Sequence, residues 1–144
     1  MSTASIDFCL AISGAHAALT LKLDDELGTH HGLGLQDFIL LHRVAGAPDG
    51  RVALTDLVRP MGVPASMLMR QLIALEKTGH LERETAARGV RTIAIRPSGR
   101  RILNEAMRTA DEVCAELLRE LPAESLPLVA ATLSRLADAD ALTV

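Results

Sequence analysis

Aromatic side chains are scarce in this sequence of 144 residues. Trp and Tyr are absent, and Phe8 and Phe38 are the only two Phe residues. Any small-molecule pocket must therefore be lined mainly by Leu, Ile, Met and Ala, with a few polar groups to orient a ligand.

Cysteines and long uncharged runs are also lacking. The two cysteines, Cys9 and Cys114, lie far apart without a CxxC motif, which excludes a disulfide framework and a zinc ribbon. No run of about 18 uncharged apolar residues occurs, so we expect no membrane span and no membrane partner. Residues 1–7 lack the basic region of a secretory signal, and we therefore expect a cytoplasmic protein.

Enzyme fingerprints are missing as well. The sequence contains no phosphate loop, no GxSxG, no HExxH and no glycine-rich dinucleotide turn. His30 and His31 are adjacent rather than four residues apart on a helix, and no Cys or carboxylate stands at an obvious ligand spacing. We expect no enzymatic activity, no cofactor and no metal site.

Charge is unevenly distributed along the chain. The net charge is −3, which taken alone disfavours a nucleic-acid partner. Residues 51–101, however, carry ten Lys and Arg against four Asp and Glu, a local charge of +6, between flanks of −4 (1–50) and −5 (102–144). A basic centre between acidic ends is typical of a localised nucleic-acid footprint.

The length fits one domain, 1–144, in which terminal helices flank this basic centre. The first predicted helix, from Ser5 to about Leu27, is apolar nearly all round, so we expect another subunit to cover it. The loop Gly28 to Gly32 follows, then a second helix from about Leu35 to Ala45. Two further helices are predicted after the basic centre, from Pro97 to about Leu121 and from Ser125 to about Ala139. The segments 5–45 and 97–141 are thus candidate dimerisation helices.

The basic centre, 51–96, has the pattern of a helix-turn-helix followed by a hairpin. An extended piece, Arg51 to Ala53, precedes a brief helix to Met61 that Thr55 is placed to cap. A longer helix follows Pro64 and ends near Thr78. Two strands, Leu81–Thr85 and Val90–Ile95, are separated by a turn in which Gly89 can adopt positive φ.

The helix after Pro64 separates into two faces at 100° per residue. Leu68, Leu72 and Leu75 define a buried stripe. Arg on the opposite face can pair with guanine, Ser can reach phosphate or a base edge, and Ile or Met can touch a thymine methyl. Arginines at the hairpin tip can reach an adjacent minor groove. An ordinary amphipathic helix with a solvated polar side is the alternative. The candidate DNA contacts are Ser66, Met67, Met69, Arg70, Ile73, Lys77, Arg88 and Arg91.

The stretch from Leu68 to Arg83, which contains LEKTGHLER, resembles the recognition helix and wing of the multiple antibiotic resistance regulator (MarR) family. The stretch Ile95 to Gly99 is similar to the LTxxG motif of that family. The resemblance implies a mainly α fold with a small β-hairpin wing, a winged helix-turn-helix, and a dimer formed by the N- and C-terminal helices. It also implies sequence-specific binding of a homodimer to a pseudo-palindromic double-stranded operator, in a transcriptional repressor.

Three departures from the family pattern stand out. The wing tip is Ala87-Arg88-Gly89 where Asp-Arg-Arg is common. Arg96 replaces the threonine expected to cap the fifth helix, and Pro60 interrupts the helix before the turn. We expect these changes to affect wing geometry and the tightness of DNA binding.

The resemblance further implies release from DNA by a small, often aromatic or phenolic, ligand. The polar or aromatic candidates for contacting it are His16, Phe38, His42 and Arg43. The alternative for each is an ordinary helical side chain with no ligand.

Two other functions are open at this stage. Asp7 to Ile12 looks like the first helix of the organic-hydroperoxide-sensing branch, with Cys9 as the reactive thiol and Cys114 as a candidate resolving thiol. Cys9 has no Lys or Arg neighbour and Asp7 is near, which disfavours a reactive thiolate. The second alternative is a winged-helix module that binds another protein and no DNA.

Overall fold

A computed structural model describes residues 2–139 of the chain. That part is mainly helical with one small antiparallel sheet, which confirms the expected fold class. The helices are α1 (Ala4–His31), α2 (Leu35–Gly46), α3 (Thr55–Met61), α4 (Ala65–Lys77), α5 (Pro97–Leu117) and α6 (Leu126–Asp138), and the strands are β1 (Arg51–Ala53), β2 (Leu81–Thr85) and β3 (Arg91–Ile95).

The chain divides into two compact units, Met1–Val113 and Cys114–Val144. The core of the first unit is aliphatic, and its most completely buried side chains come from α1, α2, α3, α4 and the sheet: Leu27, Leu40, Leu41, Val44, Leu57, Leu68, Leu72, Leu81 and Ile93. The second unit contains α6, of which no residue is buried. The single domain 1–144 remains a prediction, and residues 140 and 141 of the predicted C-terminal helix segment lie outside the described residues.

The sheet has the order β1–β3–β2, and both pairings are antiparallel. Val52 lies opposite Ile93 in one pairing, and Arg83 lies opposite Ile93 in the other. The hairpin of β2 and β3 was expected from their alternating pattern. The pairing of β1 was not, because three residues carry too little pattern to indicate a partner.

The predicted loop from Gly28 to Gly32 is wrong, since α1 continues to His31. Gly32 closes the helix in the left-handed region (φ 68°), and its N–H donates to the carbonyl oxygen of Gly28 at 3.1 Å. The His31 Nε2 lies 2.7 Å from Thr109 Oγ1 of α5. This tertiary contact and the glycine cap favour the additional turn over the loop.

Two other helix boundaries and one expected helix interruption differ from expectation. Thr55 is the first residue of α3 and makes no capping bond, because the N–H of Leu54 is bonded to the Arg91 carbonyl of β3 and places the helix start there. Pro60 does not interrupt α3 and lies in its last turn. The fifth helix ends at Leu117 rather than Leu121, and residues 118–121 form tight turns before Pro122.

Most of α1 is exposed to solvent. Only Leu23 and Leu27 are buried in this helix of 28 residues. By length and composition alone α1 is long and apolar enough to cross a membrane, a property that core helices of soluble proteins and signal sequences share.

Candidate nucleic-acid interface

The helix α4 buries one face and presents the other to solvent. Leu68, Leu72 and Leu75 have relative exposures of 0%, 1% and 4%. This confirms the buried stripe, which follows from the 3.6-residue period of the helix. The stripe sets the rotation of α4 about its axis, and with it the side chains that face outward.

The outward face carries polar and basic groups. Ser66, Met67, Arg70 and Lys77 are exposed. Met69 and Ile73 are half-buried at the edge of this face. A guanidinium, a hydroxyl, an ammonium and apolar groups thus share one side of a helix, which is the set of groups that can contact base edges and phosphates in a major groove.

The wing tip between β2 and β3 is a tight turn. The N–H of Ala86 donates to the carbonyl of Val90 at 2.7 Å, and the N–H of Gly89 donates to the carbonyl of Ala86 at 3.1 Å. Gly89 has φ 73°, as expected, but Arg88 also has positive φ, at 69°. That region is unfavourable for a residue with a Cβ, so the sequence did not indicate it. Arg88 and Arg91 are both exposed.

A two-pronged ion pair joins α4 to the wing. Arg83 Nη2 lies 2.9 Å from Glu76 Oε1, and Arg83 Nε lies 3.0 Å from Glu76 Oε2. The hydrogen bonds from Arg83 hold the pKa of the Glu76 carboxyl below its ordinary value. Sequence analysis missed this role, although both residues belong to the LEKTGHLER stretch that carries the family resemblance.

A second ion pair crosses the sheet. Arg51 Nε of β1 lies 2.9 Å from Glu84 Oε2 of β2, and this hydrogen bond lowers the pKa of the Glu84 carboxyl. Arg51 and Glu84 are 33 positions apart, and only the pairing of both strands with β3 brings them together.

The residues around His80 join α4, β2 and α5. His80 Nδ1 lies 2.7 Å from Ser98 Oγ, and the His80 carbonyl accepts a hydrogen bond from the N–H of Arg96 at 3.0 Å. Arg96, at the position where a threonine cap was expected, bonds instead to Glu82 of β2 at 3.0 Å. The start of α5 is therefore fastened to the wing strand by side-chain and backbone contacts.

Two clefts lie in the first unit. One, of about 350 Å³, separates α4 from the sheet, with Met69, Glu76, Arg83 and Arg91 in its walls. The other, of about 280 Å³, lies between α2 and α3 and has Val52, Leu57 and Pro60 as its apolar wall. Two of the predicted ligand contacts, His42 and Arg43, line the second cleft.

The remaining candidate residues lie elsewhere. Phe38 does not line the second cleft, although its ring lies 6.4 Å from that of His42, and His16 is an exposed residue of α1. Cys9 is exposed on α1, and Cys114 is partly buried. No three His, Cys, Asp or Glu residues between positions 2 and 139 are placed to hold a metal ion.

Comparison of the sequence with protein-family models and with curated proteins gives no match. Solved structures, by contrast, superpose on nearly the whole chain. A MarR family transcriptional regulator from Rhodococcus sp. RHA1 is 20% identical, with a TM-score of 0.86, over 95% of this chain and 96% of that one. A MarR family regulator from Streptomyces coelicolor, solved in complex with DNA, is 18% identical, with a TM-score of 0.81, over 96% and 89%.

A third neighbour, CouR from Rhodococcus jostii RHA1, was solved with bound p-coumaroyl-CoA. It is 19% identical to this chain, with a TM-score of 0.82, over 95% of this chain and 96% of that one. The resemblance carried by LEKTGHLER is thus confirmed by the arrangement of the helices and the wing. The chain has the fold of the MarR family of winged helix-turn-helix transcriptional regulators.

Proposed function

We propose that this protein is a transcriptional regulator that binds double-stranded DNA with α4 and the wing. The observation that carries the proposal is the outward face of α4, where Ser66, Arg70 and Lys77 are exposed, as are Arg88 and Arg91 of the wing. A structural neighbour with the same fold was solved in complex with DNA, which supports the same use of the fold here.

The side chains of α4 suit contacts in a major groove. The guanidinium of Arg70 can pair with O6 and N7 of guanine, and Ser66 can bond to a phosphate or a base edge. The apolar residues Met67, Met69 and Ile73 can touch thymine methyl groups, and Lys77 can contact phosphate. Arg88 and Arg91 of the wing can reach the adjacent minor groove.

A homodimer is the second part of the proposal. Four large apolar side chains of α1, Ile6, Phe8, Leu10 and Leu21, have relative exposures of 46–77%. The second unit separately exposes Leu128, Val129 and Leu136 at 48–72%. A second copy would remove both sets from water, and its two-fold symmetry matches a pseudo-palindromic operator with two half-sites.

Release of the DNA by a small molecule is the third part, and it makes the protein a repressor. The cleft between α2 and α3 offers His42, Arg43 and Asp56 beside an apolar wall, which suits an aromatic or phenolic ligand with polar groups at its edge. Structural neighbours solved with p-coumaroyl-CoA and with 4-hydroxyphenylacetate support this class of ligand.

Sequencing of genomic DNA fragments retained by the purified protein tests the proposal. We expect an enriched pseudo-palindrome, and we expect the affinity for it to fall steeply with added salt. Retention of no preferred sequence, with a salt-insensitive affinity for a protein partner, would instead identify the fold as a protein-interaction module.

A further inference from the structure

The ion pairs of the basic centre divide its cations into two groups. Three of the four Asp and Glu residues between positions 51 and 101 form an ion pair with an arginine. Glu84 pairs with Arg51, Glu76 with Arg83, and Glu82 with Arg96, at N–O distances of 2.9–3.0 Å. The other cations of this fully described segment have no ion pair: Arg59, Arg70, Lys77, Arg88, Arg91, Arg100 and Arg101. The charge of +6 therefore belongs to specific side chains rather than to the segment as a whole.

All three guanidinium nitrogens of Arg83 face protein acceptors. Nε and Nη2 bond to Glu76, and Nη1 lies 3.8 Å from the Met69 sulfur of α4. The backbone N–H of Arg83 also donates to Glu76 Oε2, at 3.3 Å. A guanidinium has five N–H groups, and the two of Arg83 that face no acceptor carry a charge already balanced by the Glu76 carboxylate, whereas Lys77 has no ion pair.

Arg51 is held in the same manner. Its Nε and Nη2 bond to Glu84 at 2.9 and 3.4 Å, and Nη1 donates to the Asp49 carbonyl at 3.3 Å. Arg83 and Glu84 are successive residues of β2, so their side chains project from opposite faces of the strand. One ion pair therefore ties β2 to α4, and the other ties it to β1.

These pairs are half-exposed, with side-chain exposures of 47% and 34% for Arg83 and Glu76. Pairs of this kind contribute little to the free energy of unfolding, because water screens them. The two parallel hydrogen bonds of each pair, however, fix the orientation of the arginine side chain relative to the carboxylate. What they determine is the placement of the wing relative to α4, which sets whether Arg88 and the face of α4 can reach their grooves together.

We infer that Arg83 and Arg51 are positioning residues rather than phosphate contacts, and that Lys77, Arg88 and Arg91 neutralise the DNA backbone. This inference rests on the proposed DNA binding and assigns the charges within that site. Glu76 then has a separate role. Its ion pair keeps Arg83 from acting as a phosphate contact, and this limits the affinity of the protein for DNA of any sequence.

The dependence of affinity on salt distinguishes these roles, because each phosphate contact adds about 0.9 to the slope of log K against log salt concentration. The probe is a fluorescein-labelled random duplex of about 25 base pairs, long enough for two half-sites one helical turn apart. Fluorescence anisotropy at several salt concentrations gives the slope for the parent full-length chain and for Glu76→Gln, Arg83→Gln, Arg51→Gln and Lys77→Gln.

We expect Arg83→Gln and Arg51→Gln to leave the slope at the parent value, because the Gln amide can still donate to the glutamate and keep the wing in place. Lys77→Gln should lower the slope by about 0.9, so its binding deficit should shrink about 3.5-fold between 50 and 200 mM salt. Glu76→Gln frees Arg83 and should raise both the slope and the affinity for the random duplex. A purely structural role for Glu76 predicts no gain in slope.

The double variant Glu76→Gln/Arg83→Gln is the matched control, since it leaves neither partner with an unpaired charge. It should retain the parent slope and melting temperature. If Arg83→Gln lowers the slope as much as Lys77→Gln does, or if Glu76→Gln does not raise it, the inference is wrong while DNA binding stands. If the parent shows no salt-dependent binding, the proposed function itself fails.

Discussion

Glu76 and Arg83 form two parallel hydrogen bonds, at 2.9 and 3.0 Å, between the last turn of α4 and the centre of β2. The helix that faces outward with Arg70 and the hairpin that carries Arg88 are therefore connected by a side-chain contact, in addition to the chain between them. The geometry of the proposed DNA-binding surface depends on this contact, and so do several measurable properties.

Replacement of Arg70 by Ala should reduce sequence preference. An arginine that contacts a guanine edge contributes about 1–3 kcal/mol on the preferred site and little on random DNA. Arg88→Ala, the comparison variant, should weaken binding to both duplexes to a similar extent, because a wing arginine contacts backbone and groove. Gel shifts on the enriched fragment and on a random duplex measure both effects. Equal losses for Arg70→Ala on the two duplexes would show that α4 does not contact bases.

Acid should destabilise the wing before it affects the aliphatic core. The pKa values of Glu76 and Glu84 are lowered in the folded state by their bonds to Arg83 and Arg51. The stability that they contribute is therefore complete above the ordinary Glu pKa of about 4.3 and is lost as pH falls through the lowered values. Thermal melts from neutral pH to below this range should show a steeper decline for the parent than for Glu76→Gln/Glu84→Gln. Parallel curves would contradict the assigned pairs.

Gly99→Ala should destabilise the protein by about 1–3 kcal/mol. A Cβ at Gly99 would overlap the His80 backbone carbonyl, which cannot move without disturbing the start of β2. Gly28→Ala is the control, since its Cβ would meet nothing closer than 4.0 Å and α1 should gain about 0.5–1 kcal/mol. Urea denaturation of the two variants gives both values, and equal stabilities would contradict the close approach at Gly99.

The protein should remain a dimer at micromolar concentration, because a monomer would leave the apolar side chains of α1 in water. Analytical ultracentrifugation of a dilution series measures this. A folded monomer across the series would contradict the dimer. Partition of the protein into lipid vesicles, with Phe8→Asp abolishing it, would show that a bilayer covers α1 instead.

Organic hydroperoxide should not release the DNA. Cys9 is exposed on α1, and the ion pairs of that helix, Lys22–Glu26 and His30–Glu26, bring no cation to it. A thiol without a neighbouring cation reacts slowly. Gel shifts with and without cumene hydroperoxide, on the parent and on Cys9→Ser, should be identical. Release of DNA by the parent alone would make the protein a redox switch.

Local signals predicted most of the secondary structure and one face of the candidate site. The period of Leu68, Leu72 and Leu75 placed α4 and its outward residues, and Gly89 marked the wing turn. The local sequence pattern predicted a helix boundary wrongly where a contact with another element determines that boundary. Thr55 had the composition of a cap, but the bond from Leu54 to β3 moved the start of α3, and Gly28 did not end α1.

The amino-acid sequence by itself determined which side chains of α4 face the core, because burial of an apolar stripe at helical spacing leaves one rotation of the helix. It also determined where the positive charge lies along the chain. Only the tertiary structure decided which of those charged side chains form ion pairs. Arg83 and Arg70 are the same residue type in the same basic centre, and Arg83 differs because β2 brings it to Glu76. Ion pairing depends on distances of a few ångströms between elements, and sequence spacing does not specify those distances.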